Sequence, residues 1–226
     1  LTNPNGGAVA LLTSTRPAYS FTNLLLGKAF FKYVFEAKTQ RLGDIIRKTK
    51  NQSIDGIANR NFALLGDPSM ILAYPKGTIK LTSVKDQNGQ ENRLSAMSKI
   101  TIIGEVHDSQ LINTFNGQLD ILIYDKKSEK LTLGIGTNSI PARFEEYENV
   151  LFRGKASVRN GRFSFSFVVP KDINYKDGFG KISLYAHDSI QNIDAHGFDE
   201  IPTGGTAANI QNDNTPPKIK LARSLN

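Results

Sequence analysis

The sequence predicts two regions of different fold class: an α/β region over residues 1–75 and an all-β region over residues 76–205. In the first region, short apolar runs alternate with apolar helical patterns. In the second, apolar residues recur at every second position, which is typical of half-buried strands. The chain has 226 residues, of which 39% are hydrophobic, so it can bury a core and is not a disordered tail.

Two apolar runs predict strands in the first region. Gly7–Leu12 follows an Asn-Gly-Gly turn signal, and Asn61–Leu65 is stopped by the sequence Gly66–Pro68. Continuous apolar runs of this length suit strands buried on both faces, as in a parallel sheet. Such a strand pair normally belongs to a larger sheet, so we expect this region to be the C-terminal part of a larger α/β domain and to expose apolar surface.

Two helices are predicted between these strands. The first runs from Leu24 to Phe35, is apolar nearly all round, and has Ser20 or Thr22 as a candidate N-cap. The second carries apolar or small side chains at amphipathic spacing: Leu42, Ile45, Ile46 and Thr49.

The second region predicts an antiparallel β-sandwich of immunoglobulin-like architecture. Alternating apolar residues mark strands around 100–106, 119–123, 163–169 and 182–186, and Asn160-Gly161 suits a tight hairpin turn. The Cys…Trp…Cys pattern of antibody domains is absent, so the similarity is architectural. Thr203–Pro217 is interpreted as a linker, and residues 206–226 as the linker with the start of a further domain.

Composition excludes several classes of protein. The chain has a net charge of +7, three histidines and no cysteine. It therefore contains no disulfide framework, thiolate zinc site or cysteine nucleophile. Its basic residues do not form a stripe with stacking aromatics, which argues against a nucleic-acid partner. No apolar run reaches the ~18 residues that span a bilayer. Leu1 is not a start methionine and no leader precedes it, so we expect a piece of a longer chain.

Several segments resemble the gingipain-like cysteine peptidases, whose catalytic domain is caspase-like. The similar segments lie in the same order in this chain: Gly6–Arg16, Arg41–Lys50, Asn61–Met70, Phe152–Val158 and Phe163–Asp172. The resemblance implies the C-terminal part of a caspase-like domain over residues 1–75, followed by the β-sandwich. It is strongest to members of the family that act as signal peptidase or sortase of the type IX secretion system of Bacteroidetes.

The resemblance also has implications for the catalytic residues, the partners and the location of the protein. In that family the catalytic His and Cys lie upstream of the Gly-Gly strand, so His107, His187 and His196 are expected to be surface imidazoles. The implied partners are the upstream part of the same peptidase domain, the C-terminal signal of secreted cargo and outer-membrane secretion components. The implied location is the cell surface or outer membrane, after export.

A substrate-binding wall is predicted at the carboxyl end of the first strand. Ligands of open α/β sheets sit at such strand ends, and in gingipain-like enzymes the matching segment lines the specificity pocket. We expect Thr13, Ser14, Thr15 and Tyr19 to orient a peptide there. The alternative left open is that Thr13 and Ser14 merely end a strand while Ser20 caps a helix.

Two acidic features are interpreted as structural. Asp67 precedes Pro68, which favours a turn in which its carboxylate binds nearby N–H groups. The cluster Glu145-Glu146-Tyr147-Glu148 lacks the spacing of a calcium loop and is interpreted as a solvated edge. We expect no cofactor and no bound metal ion.

Three functions remain open from the sequence. The first is a fragment of the signal peptidase or sortase, which removes the C-terminal signal of cargo and attaches the cargo to lipopolysaccharide. The second is a fragment of a gingipain-like endopeptidase that only hydrolyses. The third is a non-catalytic β-sandwich binding module, which the absence of Trp and the core-like spacing of Phe163, Phe165 and Phe167 disfavour.

The chain alone is expected to show no peptidase activity, because it has no thiol to act as nucleophile. Incubation with a peptide thioester or a labelled cargo tail, followed by mass spectrometry, checks this. Hydrolysis by this chain would contradict the prediction.

Overall fold

A computed structural model of the chain describes residues 7–36, 40–53, 56–136 and 139–207. The chain divides into two compact units, Leu1–Tyr74 and Pro75–Asn226. Most of the expected linker and the start of a further domain lie outside the described residues. Within the described ranges, none of the helices combines the length and apolarity that crossing a bilayer requires.

The first unit follows the expected order of strand, helix, helix and strand, with one short helix added. Its elements are β1 (Leu11–Ser14), α1 (Ser20–Glu36), α2 (Leu42–Ser53), α3 (Ile57–Arg60) and β2 (Phe62–Leu65). The fold class is therefore the α/β segment followed by β-sandwich that the sequence predicts.

The expected parallel pairing in this unit is wrong. Strands β1 and β2 pair antiparallel, with Leu11 opposite Leu65 and Ser14 opposite Phe62. A single crossover helix normally returns the chain for a parallel strand, whereas here three helices lie between the two strands.

Helix α2 buries the predicted face. Leu42, Ile45, Ile46 and Thr49 are all buried, and the Thr49 hydroxyl donates to the Ile45 carbonyl at 2.8 Å. Thr22 is not an N-cap, however. It lies inside α1, where its hydroxyl donates to the Tyr19 carbonyl at 2.8 Å instead of accepting a bond from the backbone.

Helix α1 is covered on one side only. Leu26 and Val34 are buried, while four large apolar residues on the helix are more than half exposed: Phe21, Leu24, Phe31 and Phe35, at 66, 52, 62 and 70%. Their spacing of three, seven and four residues puts them on one line along the helix. We call these four residues the α1 stripe. Among the described residues, the expectation that this region exposes apolar surface is confirmed.

The second unit is built from strands. They are β3 (Gly77–Asp86), β4 (Leu94–Ala96), β5 (Lys99–Asp108), β6 (Gln110–Leu111), β7 (Gly117–Tyr124), β8 (Ser128–Leu131), β9 (Arg143–Glu146), β10 (Val150–Val158), β11 (Arg162–Val168), β12 (Gly178–Asp188) and β13 (Ile193–Thr206).

The main sheet has the strand order β10-β7-β12-β13-β3-β5-β11. Neighbours pair antiparallel except β13 and β3, which are joined by a short parallel stretch in which Ala195 lies opposite Gly77. Strand β4 pairs with β13, β6 pairs with β5, and β8 and β9 form a separate hairpin.

One hydrophobic core is shared by the two halves of this sheet. Ile100, Ile102 and Val106 of β5 are fully buried, as are Leu119 and Ile123 of β7. They belong to the same cluster of buried side chains. The two ends of the sheet therefore face each other around this core, as in a β-sandwich.

The turn at Asn160-Gly161 forms as predicted but joins different neighbours. Both residues have positive φ, at 50° and 73°, and Arg159 and Arg162 exchange backbone hydrogen bonds across it. Beyond the turn, β10 pairs with β7 and β11 with β5. The turn therefore connects the two halves of the sandwich rather than two strands paired along their length.

The linker prediction is wrong at its start. Thr203–Thr206 form the end of β13 and pair with β4. Thr203 is 1% exposed, and its hydroxyl donates to the Ile201 carbonyl at 3.0 Å. The Gly-rich sequence thus belongs to a strand packed against its neighbours, not to a solvated connection.

A buried carboxylate follows β7. Asp125 is 2% exposed, and its Oδ1 accepts bonds from the backbone N–H and Nζ of Lys126 at 2.8 and 2.7 Å. Its Oδ2 accepts the Asn174 N–H at 2.8 Å. Burial alone would raise the pKa of Asp125, but the hydrogen bonds from Lys126 and Asn174 hold it below its usual value.

The substitution Asp125→Asn is expected to lower the free energy of unfolding by about 2–4 kcal/mol, because it leaves the buried ammonium group of Lys126 without its carboxylate partner. The matched control is Asp120→Asn on β7. Asp120 contacts Lys155 at 3.2 Å with both side chains exposed, so this change should cost less than ~1 kcal/mol. Urea denaturation of both variants checks this, and equal small losses would contradict it.

Candidate substrate-binding edge

The predicted site lies where β1 ends. Thr13 is opposite Ala63 and Ser14 is opposite Phe62 on β2, and both are half-buried. Successive residues of a strand point to opposite faces. At most one of Thr13 and Ser14 can therefore face a given substrate pocket.

Thr15 is tied to the neighbouring segment. Its backbone N–H donates to the Asn61 carbonyl at 2.7 Å, and its hydroxyl donates to the same carbonyl at 3.1 Å. The N–H bond continues the pairing of β1 with β2, and the hydroxyl bond uses the proton of the Thr15 side chain. In this structure Thr15 fixes the end of the strand.

Tyr19 presents its ring to solvent at the start of α1. The residue is 83% exposed, while its carbonyl accepts bonds from the Thr22 hydroxyl and the Asn23 N–H. The backbone is thus fixed and the ring is available for contact with a peptide. The substrate role of Thr13, Ser14, Thr15 and Tyr19 stays a prediction.

Lys50 is a residue of this edge that the sequence did not indicate. Its Nζ donates to the Phe62 carbonyl at 2.8 Å, and its own carbonyl accepts a bond from Asn59 Nδ2 at 2.8 Å. The contact places the Lys50 ammonium group at the start of β2, where Phe62 is paired with Ser14 of β1.

Asp67 forms the expected turn. Its Oδ1 accepts the N–H and the hydroxyl of Ser69, at 2.8 and 2.7 Å. These two bonds lower the pKa of Asp67. The Asp67 carboxylate therefore has a structural role: it stabilises the turn after β2.

The histidines and the acidic cluster lie in the second unit. His107 Nε2 is 3.0 Å from Glu105 Oε2, and His187 stacks on the Tyr185 ring at 6.3 Å. Glu146 and Glu148 both contact Lys130 Nζ, at 2.9 and 2.8 Å. In the part of the chain that the structure describes, no cluster of three or more His, Asp or Glu side chains could hold a metal ion.

Comparison with known families decides the relationship of the first unit. Residues 1–73 match the model of peptidase family C25, the gingipain family. The first unit is thus similar in sequence to the gingipain family of peptidases. The resemblance of the sequence to gingipain-like cysteine peptidases is thereby confirmed.

A solved structure extends the match beyond the peptidase segment. The crystal structure of dimeric latent PorU from Porphyromonas gingivalis is 30% identical, with a TM-score of 0.55, and the alignment covers 82% of this chain. The chain spans only 19% of the length of that PorU chain. The sequence similarity to PorU is therefore accompanied by a similar fold.

Other solved structures align more weakly. Spo0M, a sporulation control protein from Bacillus subtilis, is 12% identical with a TM-score of 0.35, and 58% of this chain and 51% of that chain are covered. The PmoD soluble domain from Methylocystis is 11% identical with a TM-score of 0.32, and 59% and 95% are covered. No curated protein matches the chain significantly.

Proposed function

We propose that the chain is part of a PorU-like cysteine peptidase that removes the C-terminal signal of type IX secreted cargo and joins the cargo to cell-surface lipopolysaccharide. The match to PorU carries this proposal. Since Pro75–Asn226 is only about two thirds of the chain, an alignment over 82% includes residues of both units. A similarity that runs from a C25 segment into the sandwich favours PorU over an unrelated binding module.

The proposed chemistry is acyl transfer by a thiol outside this chain, which contains no cysteine. The thiolate attacks the carbonyl that precedes the cargo signal, and a His gives its proton to the leaving amine as the C–N bond breaks. An acceptor amine then attacks the thioester, forms an amide and releases the thiolate. In a purely hydrolytic gingipain-like enzyme, water takes the place of this amine.

The role proposed for the first unit is to shape the substrate site. Thr13 and Ser14 are half-buried at the end of β1, and Tyr19, whose ring is exposed, directly precedes α1. Their partners in this proposal are the upstream part of the same domain and the C-terminal signal of the cargo. The proposal places the protein at the cell surface with outer-membrane secretion components.

The substitution Tyr19→Ala in the full-length protein is expected to lower kcat/KM for removal of the cargo signal about tenfold, through loss of an aromatic contact with the peptide. Tyr175→Ala is the matched control, since Tyr175 is an exposed tyrosine of the second unit. Equal activity of the two variants would contradict the predicted substrate wall.

Mass spectrometry of the product distinguishes transfer from hydrolysis. An amide-linked adduct supports the sortase, and a free carboxylate alone contradicts it.

The α1 stripe provides a separate test of the larger domain. We expect the upstream part of the peptidase domain to cover the stripe, because four exposed large apolar residues on one line mark a contact surface. Phe31→Ser with Phe35→Ser should leave the stability of this chain nearly unchanged, since both rings are exposed.

In the full-length protein the same pair of substitutions should destabilise the peptidase domain by about 3 kcal/mol or more, as expected for buried rings. Thermal unfolding of both proteins with and without the substitutions measures this difference. No destabilisation in the full-length protein would show that the stripe is not covered there.

A further inference from the structure

A long arm leaves the sandwich between β7 and β10. It comprises residues 126–149, with β8 and β9 as its two strands. Its base is closed where the Asp125 N–H donates to the Asn149 carbonyl at 2.9 Å. Strands β7 and β10 pair with each other directly, so the arm is not needed to complete the sheet.

The arm ends in exposed aliphatic side chains. Four of them form what we call the tip cluster: Leu131, Leu133, Ile135 and Ile140, which are 59, 84, 84 and 87% exposed. From Thr132 to Ala142 the sequence contains no charged and no aromatic residue. Soluble proteins rarely leave such an apolar group in water without a binding role.

The described residues of the tip fold back on each other. The Thr132 N–H donates to the Ala142 carbonyl, and the Ser139 N–H donates to the Gly136 carbonyl, both at 2.9 Å. Gly134 has a φ of 60°, and a Cβ there would lie 2.9 Å from Pro141 Cγ. The turn thus presents the aliphatic side chains outwards while pairing part of its own backbone.

The strand register arranges polarity along the arm. Moving from the tip towards the base, the cross-strand rows are Leu131 with Arg143, Lys130 with Phe144, Glu129 with Glu145, and Ser128 with Glu146. Aliphatic groups come first, cations and one aromatic ring next, and carboxylates last. With a rise of ~3.4 Å per residue, the backbone positions of Arg143 and Lys130 lie roughly 3–7 Å nearer the tip than the first carboxylate row. Both cations are paired with carboxylates of the arm: Arg143 contacts Glu129 at 2.5 Å, and Lys130 contacts Glu146 at 2.9 Å.

We infer that the tip cluster inserts into the interfacial layer of a lipid bilayer. The order along the arm, with the aliphatic tip first and paired charges behind it, matches the order of acyl chains and hydrated headgroups in a bilayer. Interfacial elements bury their apolar side to a depth of about 5–10 Å, which the tip beyond Leu131 can supply.

The composition of the tip favours lipid over a protein partner. Protein hot spots are enriched in Trp, Tyr and Arg, and depleted in Leu. The residues from Thr132 to Ala142 offer aliphatic side chains, glycine and small polar groups, which a fluid layer accepts without shape complementarity. A protein partner or a second copy of the chain is therefore an outcome that the test must separate.

A single tryptophan can report insertion directly, because the chain has none of its own. Ile135→Trp in the whole chain is mixed with vesicles of phosphatidylcholine, with and without phosphatidylglycerol. We expect a blue shift of its emission and quenching by brominated acyl chains. The control Ile190→Trp replaces another exposed aliphatic residue, at 92% exposure on the turn between β12 and β13, and should show neither effect.

Loss of two of the aliphatic side chains should weaken binding strongly. Leu133→Ser with Ile140→Ser is expected to weaken vesicle partitioning about tenfold for each side chain removed, while Ile190→Ser has no effect. Unchanged thermal unfolding, expected for exposed positions, shows that the fold is kept. Binding should persist at high salt, because screening acts on charges and not on aliphatic contacts.

Four results would overturn the inference. The first is the absence of vesicle binding by the unsubstituted chain. The second is binding that is lost at high salt, and the third is binding that is insensitive to the tip substitutions. The fourth is self-association in sedimentation velocity, without lipid, that the same substitutions remove. That result would assign the tip cluster to contact between two copies of the chain.

Discussion

The carboxylate of Asp125 joins segments that are far apart in the sequence. It binds both nitrogens of Lys126 and the backbone of Asn174, and Lys126 Nζ reaches the Thr203 carbonyl at 3.2 Å. The base of the arm, the segment before β12 and the end of β13 therefore meet at one charge. Removing such a group from water costs several kcal/mol, and only a full set of partners offsets that cost. The site is consequently sensitive to the loss of any one of them.

Local patterns in the sequence predicted the strands and helices because burying one face of an element requires apolar residues at a regular spacing along it. The rows of Ile100 and Ile102, and of Phe163 and Phe167, alternate since one face of each strand meets the core. The spacing in α2 follows from the same cause. Pairing could not be predicted in this way. The direction of β2 depends on the helices before it, and the partner of β11 depends on a shared core.

The candidate site shows the same division. The succession of a strand and a helix was predictable from apolar runs, but their bounds and the use of each hydroxyl were not. The predicted strand covers Gly7–Leu12, whereas β1 is Leu11–Ser14. Thr15 bonds Asn61 across the sheet, and Lys50 reaches Phe62 from a neighbouring helix. Asp125 and Lys126 gave no signal beyond two adjacent charged residues. Such contacts join residues that only the tertiary fold brings together, so the spacing of residues along the sequence does not predict them.

Strand β11 is the last strand on its side of the sheet among those that the structure describes. From Phe163 to Val168 it carries only phenylalanine, serine and valine, a composition with high β-propensity and no charge. One row of its backbone N–H and C=O groups can therefore accept a strand from another chain, which makes β11 a template for edge-to-edge aggregation. Arg162 and Lys171 flank the run as gatekeepers, and the exposed Ser164 is the position at which an added charge would interrupt it.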